Sequence, residues 1–469
     1  MADASSPENR TPAAISRGGI TDTGLPARVR GWASALTLGG RMEANSAGNT
    51  SERIARGLVH RHLEKMQRGT LTLIEGESQL VFGSTRQSGV VHEKTVSRKN
   101  IDQINATIRV ESPAAFSAIA FNGVVGAAEA FMDGHWTTPD LLSVIRFFVS
   151  NIVALKNMDK ERSLANRLAL KLLNVVTKNS VSGSRKNISA HYDLGNDFFE
   201  LFLDPSMMYS SAVFKGQDIP LKEASILKLK MICEQLHLQE SDHLVEIGTG
   251  WGGMAVYAAT HYGCRVTTTT LSQQQHDFTV ELVKSRGLEQ RITVVMKDYR
   301  EMEGRFDKLV SIEMIEAVGH QFFSDYFAKC SQLLKPDGLM VLQAITIADQ
   351  RYEEARRSVD FIQRYIFPGG CLPSISIIAQ HISEDTNMGI ISVTDISQDY
   401  ARTLGHWRES FETNIQRVRE LGFDDRFIRM WLYYLCYCQG GFQERVINTV
   451  QMVMAKPDYR CYSPDFSRN

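Results

Sequence analysis

The sequence predicts an α/β protein: a doubly wound, mostly parallel sheet preceded by a smaller α+β unit. Three observations predict it. From His237 onward, short apolar runs alternate with stretches of helical length. The first of these runs, His243 to Ile247, ends in the turn Gly248-Thr-Gly-Trp-Gly-Gly253 and passes straight into a helix. The first 150 residues follow a different order, with short strands grouped around a turn and a long helical section after them.

Residues 1–55 are rich in Ala, Gly, Ser, Thr and Arg and have little hydrophobic periodicity, which reads as a flexible leader. Ser51 to Gln67 has the spacing of a first helix, with Ile54, Leu58 and Leu63 on one side. Thr70 to Ile74 and Gln79 to Phe82 are short strands around a glycine-containing turn, and Ile101 to Val110 continues the β character. A helical section starts near Ser112 and includes Gly126 to Trp136. Residues 56–150 therefore form the α+β unit.

Residues 151–190 stand out by charge, with eight Lys and Arg against two acids. Leu164, Leu168 and Leu172 make one helical stripe, and Arg167, Lys171 and Lys178 run beside it. Charge alone favours a linker helix with a solvated basic edge. The other reading is a helix lying on an anionic membrane surface, with its stems along lipid and its charges at headgroups.

Residues 191–469 make the main domain. Its strands are His243 to Ile247, Val266 to Thr270, Ile292 to Met296, Phe306 to Ile312 and Leu339 to Ile345. Helices are expected at Met254 to His261, Ser272 to Ser285 and Phe322 to Leu334, the last closed by Lys335-Pro-Asp-Gly338. The greasy stretch Met430 to Cys438 reads as a core helix.

Composition narrows the class. Hydrophobic residues are 43% and charged residues 22%, which excludes disorder of the whole chain. The 52 Lys and Arg against 53 Asp and Glu argue against nucleic acid as the main partner. Seven cysteines, an odd number with no C-x-x-C pair, exclude a disulfide framework and a structural zinc site, and no metal is expected. No run of 18 apolar residues occurs, so no transmembrane helix is expected. The start MADASSPENR has no signal-peptide pattern, which predicts a cytoplasmic protein.

The chemistry centres on Glu246-Ile-Gly248-Thr-Gly250-Trp-Gly252. Glycines there permit a tight turn and close approach of a nucleotide-type ligand. The loop resembles the E/D-x-G-x-G-x-G loop of S-adenosylmethionine (AdoMet) methyltransferases and lacks the spacing of dinucleotide folds. Glu246 either braces the loop or holds a ligand's ammonium group. Four more segments sharpen the assignment: His191-Tyr-Asp-Leu-Gly-Asn-Asp-Phe-Phe199, Met208-Tyr-Ser-Ser-Ala212, Ser311-Ile-Glu-Met-Ile-Glu-Ala-Val-Gly319 and Tyr365-Ile-Phe-Pro-Gly-Gly-Cys-Leu-Pro373. With the glycine loop they closely resemble the cyclopropane-fatty-acyl-phospholipid synthase family, which includes mycolic acid cyclopropane synthases. The likeness runs from about Arg185 to Phe442, with a weaker match in Gly123 to Trp136.

The resemblance implies a class I AdoMet-dependent methyltransferase fold, Rossmann-like, with a lipid-associated N-terminal domain. It implies methyl transfer to a cis double bond of an unsaturated phospholipid acyl chain, at the inner membrane face. A lipid substrate also turns the basic stretch 151–190 toward its membrane reading. The alkene needs alignment and exclusion of water, and no nucleophilic side chain. Aromatic faces at Tyr209, Phe361, Tyr365 and Phe367 could stabilise the resulting carbocation. The family's base resembles a bound bicarbonate, whose holders by motif are Ser211, Glu316, Gln343, the backbone of Ile345, and Tyr400. The chain departs from the family at two of these, with Ser211 for Cys and Gln343 for His, and a neutral Gln supplies no positive charge. Cys438 matches a family cysteine and reads as a buried thiol near the site.

AdoMet contacts carried over by motif are Tyr209, Ser210, Gly248, Gly250, Thr270, Leu271 and Gln275, with Asp298 and Tyr299 flanking the adenine. The resemblance leaves a homodimer open. The rival products are methyl- or methylene-branched chains, motivated by Ser211 and Gln343. Two other rivals are a non-catalytic AdoMet- or lipid-binding protein, against which Glu316 and Tyr400 argue, and a methyltransferase for a small polar acceptor.

Overall fold

The computed structural model describes residues 50–83, 104–152 and 194–460. The leader up to residue 49, residues 153–190 of the basic stretch and the opening of the His191 motif lie outside the described residues. The first helix is Thr50–Leu63, so it begins inside the stretch read as leader.

Two sheets organise the described residues. The first has four strands in the order β2-β1-β3-β4: β1 Thr70–Glu75, β2 Ser78–Gly83, β3 Asn105–Val110 and β4 Trp136–Thr137. β1 pairs antiparallel with β2 and parallel with β3. Helix Ala114–Met132 follows β3 and breaks at Gly123, whose φ of 54° and ψ of −129° are open to glycine and strained for other residues. The helix is long and apolar enough to cross a membrane by length and composition, although half of that stretch is buried against the protein. Ser117, Asn122 and Glu129 interrupt its apolar sequence, so it contains no run of 18 apolar residues.

The second sheet has seven strands in the order β10-β11-β9-β8-β5-β6-β7. β5 His243–Ile247, β6 Arg265–Thr269, β7 Ile292–Val295, β8 Phe306–Ile312 and β9 Leu334–Ile347 run parallel to one another. β11 Ile447–Ala455 is antiparallel to both β9 and β10 Gly389–Asp395. β9 starts before the Lys335-Pro-Asp-Gly338 turn, which is an irregularity in its pairing with β8. Strand order reverses between β5 and β8, so the carboxyl ends of these strands open a crevice there.

Helix Asp425–Gln443 ties the two sheets together. Trp431, Tyr433, Tyr434, Leu435 and Cys436 on it are buried. One apolar core joins Val59, Leu71, Phe116 and Phe147 from the first sheet's layer to Phe198, Trp407, Trp431 and Phe442. Ion pairs Arg146–Glu444 (2.7 Å), Arg364–Glu129 (3.0 Å) and Arg426–Asp133 (2.8 Å) rim the contact.

Candidate active site

Two cavities meet at the crevice. A smaller one of about 150 Å³ lies over the glycine loop, and a larger one of about 520 Å³ runs toward the first sheet. Tyr209, Glu313 and Ala317 line both.

The smaller cavity is lined by Tyr209, Ser210, Glu246, Gly248, Gly250, Thr270, Leu271, Gln275 and Tyr299, nine of the ten expected AdoMet contacts. Gly250 has a φ of 52°, and no protein atom lies within 4 Å of where its Cβ would sit. Glu246 is buried, and its Oε2 has no hydrogen-bond partner. Burial pushes its carboxyl up to about 8, against the pull of the Thr268 hydrogen bond and the Lys228 charge. The buried Tyr299 hydroxyl is also unpartnered. A cradle left open at glycine and two unpaired buried polar groups suit a cofactor carrying an ammonium group and polar sugar edges. The donor set therefore fits AdoMet. Asp298 is the exception. Its carboxylate accepts from the backbone N–H and Nε of Arg300 (3.0 and 2.8 Å) and from Nη2 (2.7 Å), so it is spent on the turn and does not line the cavity.

Local folding explains the other motifs. Asn196 Oδ1 accepts from Trp251 Nε1 at 2.8 Å, which joins the His191–Phe199 motif to the glycine loop. Phe198 and Phe199 are fully buried and pack edge-on against Trp431. Lys228, fully buried on helix Leu221–Gln235, donates to Ser210 Oγ at 2.7 Å. Burial pushes Lys228 down to about 8, while the charges of Glu313, Asp204 and Glu246 oppose that shift. Sequence reading missed Lys228, because a lone lysine in a helix carries no signal of burial.

The larger cavity is lined mostly by apolar and aromatic side chains. Leu63, Leu73, Phe116 and Trp136 come from the N-terminal layer, and Phe367, Tyr434, Tyr437 and Phe442 from the main domain. Of the four aromatics expected near a carbocation, Tyr209 and Phe367 line it. Phe361 and Tyr365 are core, with the Tyr365 hydroxyl donating to Glu129 at 2.6 Å. Cys438 lines the cavity, and burial pushes its thiol far above the ordinary range, which suits a passive wall.

The expected bicarbonate holders gather around Glu313, a residue that sequence reading passed over. The Ser211 backbone N–H donates to Glu313 Oε1 at 2.9 Å, Gln343 Nε2 donates to Oε1 at 2.7 Å, and the Tyr400 hydroxyl donates to Oε2 at 2.8 Å. The Ser211 hydroxyl turns away, to the Ala212 carbonyl at 2.9 Å. The Ile345 N–H donates to Glu316 Oε1. The Ser211 and Ile345 N–H groups, Gln343 Nε2 and the Tyr400 hydroxyl are thus taken by carboxylates of the chain, and the Ser211 hydroxyl by a carbonyl. A bicarbonate would enter as a second anion beside the Glu313 carboxylate and would find these donors already spent, so the residues present do not fit it. Gln343 is fixed in turn, since its Oε1 accepts from Gln451 Nε2 at 3.0 Å and Gln451 Oε1 accepts from Gln235 Nε2 at 3.0 Å.

Glu316 contrasts with Glu313. Its Oε2 is buried without a partner. Burial pushes its carboxyl up to about 8, and the Glu313 charge adds to the shift. Burial also raises Glu313, but hydrogen bonds from Gln343, Ser211 and Tyr400 and the Lys228 charge hold it back.

Sheet order, glycine loop and paired cavities define an AdoMet-dependent methyltransferase of the class I fold. The sequence profile of the family described as mycolic acid cyclopropane synthetase matches residues 179–452. The chain belongs to that family. It is 34% identical over 345 residues to a tuberculostearic acid methyltransferase of Mycobacterium tuberculosis, covering 72% of this chain and 80% of that one. It is 36% identical over 356 residues to the cyclopropane-fatty-acyl-phospholipid synthase of Escherichia coli, covering 75% and 88%. A mycolic acid cyclopropane synthase solved with SAH and CTAB superposes with a TM-score of 0.55 at 30% identity, covering 58% of this chain and 98% of that one.

Proposed function

We propose that this chain moves the methyl group of AdoMet onto the cis double bond of an unsaturated phospholipid acyl chain and closes a cyclopropane ring. The observation that carries the reading is the junction of the two cavities. A small polar pocket over the glycine loop opens, at Tyr209 and Glu313, onto an apolar cavity of about 520 Å³, a volume suited to an acyl chain. AdoMet, when bound, supplies an electrophilic methyl group on sulfur.

The chain's own residues account for the rest. Gly248 and Gly250 let the backbone approach the cofactor, and Glu246 Oε2 is free to accept from its ammonium group. Tyr209, Phe367 and Phe442 line the acyl side and present ring faces and apolar edges, which exclude water and favour positive charge. The Tyr209 and Tyr434 hydroxyls pair at 2.9 Å, which fixes both rings. Similarity to the Escherichia coli synthase supports the phospholipid substrate. A lipid substrate also favours docking on an anionic membrane surface from the cytoplasmic side, with the α+β unit 56–150 and the basic stretch 151–190 sharing that task.

A methyl- or methylene-branched product is the second reading. The 34% identity to a tuberculostearic acid methyltransferase favours it. Both readings share the first bond formed and differ in how the resulting carbocation is then resolved. Cells expressing the chain and fed methyl-labelled methionine will separate them by mass spectrometry of fatty acid methyl esters. We expect labelled cyclopropane esters. Labelled branched esters alone would select the second reading, and lipids without label would overturn both.

A further inference from the structure

We infer that the Glu313 carboxylate is the built-in base of the reaction, standing where the family resemblance led us to expect a bound bicarbonate. The inference rests on the proposed lipid methylation and deepens it. Four observations carry it, and none depends on an absent group.

Glu313 lines both cavities, so its carboxylate faces the position where cofactor and alkene meet. Its two oxygens receive hydrogen bonds from Ser211 N, Gln343 Nε2 and Tyr400 Oη, between 2.7 and 2.9 Å. These are three of the groups expected to cradle an external anion. The side chain reaches them because Glu313 has a φ of 49°, a left-handed conformation that costs a residue with a Cβ on the order of 1–2 kcal/mol. The surroundings hold that conformation, since the Glu313 N–H donates to the Gln343 carbonyl at 2.8 Å. The neighbouring Glu316 receives backbone N–H groups alone, with no partner on its Oε2, so the negative charge of the pair resides on Glu313.

The step balances without a co-reactant. Methyl transfer forms a C–C bond, breaks the S–CH₃ bond and leaves a carbocation on the acyl chain. Glu313 then takes a proton from the added methyl group as the C–H pair closes the ring. It becomes a neutral carboxylic acid and returns the proton to solvent after product leaves. The same base would serve methylene formation: a hydride first shifts from the methyl-bearing carbon to the cationic carbon, and Glu313 then takes the proton from the added methyl as its C–H pair forms the C=CH₂ bond.

The test uses the full-length protein, stripped of carbon dioxide, with unsaturated phospholipid vesicles and AdoMet. Wild-type turnover should be unchanged, within about twofold, when bicarbonate is added. Glu313→Gln should lose at least 100-fold in turnover with or without bicarbonate while AdoMet affinity, read by calorimetry, stays within a few fold. Glu313→Gly relieves the backbone and empties the cradle. It should be slow alone, recover at least tenfold with added bicarbonate, and bind ¹³C-bicarbonate by NMR where wild type does not. Wild-type dependence on bicarbonate, a ¹³C-bicarbonate signal from wild type, or a Glu313→Gln variant within threefold of wild type would each overturn the inference. The NMR comparison needs no turnover. A chain that methylates no lipid but shows the predicted binding difference would fail the proposed function while leaving the anion site assigned to Glu313.

Discussion

Two carboxyls three residues apart, Glu313 and Glu316, divide the electrostatics of the site. Glu316 is held protonated by its surroundings, and this has a sign that can be measured. Its carboxyl sits at about 8 in the folded chain against 4.5 ordinarily. Between those values the unfolded chain gives up a proton that the folded chain keeps, so this group makes stability fall as pH rises. Glu316→Gln removes that titration and retains an oxygen for the Ile345 N–H. Its melting temperature should gain on wild type steadily from pH 5 to pH 8, and parallel melting curves across that range would refute the assignment. Glu313 was hard to read from sequence for a physical reason. Residue pattern marks an acid after a buried strand, but not the positive φ that turns its carboxylate onto Ser211, Gln343 and Tyr400. Glu316, in the same motif, drew the attention instead.

At the scale of elements, the parallel half of the large sheet was legible. β5 and β8 fall on the expected residues, and β6 and β7 differ by one residue at their ends. β5 and β8 are largely buried runs, the signature of a strand covered on both faces, while β6 and β7 are short runs of valine, isoleucine and threonine that favour strands. β10 and β11 were not legible. β10 is exposed along its whole length, and β11 finds its partners, β9 and β10, only through pairings distant in sequence. The glycine loop was readable as a motif, and its geometry now gives each glycine a separate task. Gly252 has a φ of 83°, and an added Cβ would stand 2.6 Å from Thr279 Cγ2. Gly252→Ala should therefore shift the loop and weaken AdoMet binding at least tenfold by calorimetry, at a stability cost of about 1–2 kcal/mol. An unchanged dissociation constant would show that the loop tolerates the side chain.

Across the whole molecule, the first sheet's layer shares its interior with helices of the main domain, while the large sheet carries two further cores on its own faces. Val59, Phe116 and Phe147 share a core with Trp407 and Trp431, and helix Asp425–Gln443 belongs to both layers. The described part of the chain should melt as one cooperative unit, with a single endotherm in scanning calorimetry. Two resolved endotherms would mean that the N-terminal layer folds independently. The larger cavity lies within this shared interior, with walls from Phe116 and Trp136 on one side and Tyr434 and Phe442 on the other. The acyl chain proposed to enter that space would be, for the length of its stay, hydrophobic core. Occupancy and folding then draw on the same apolar area, so a lipid present at a hundred times its dissociation constant adds about 2.7 kcal/mol to the stability of the whole fold. Letting the product go means giving that stability back, so the step that frees the enzyme for its next turnover is a partial loosening of its own interior.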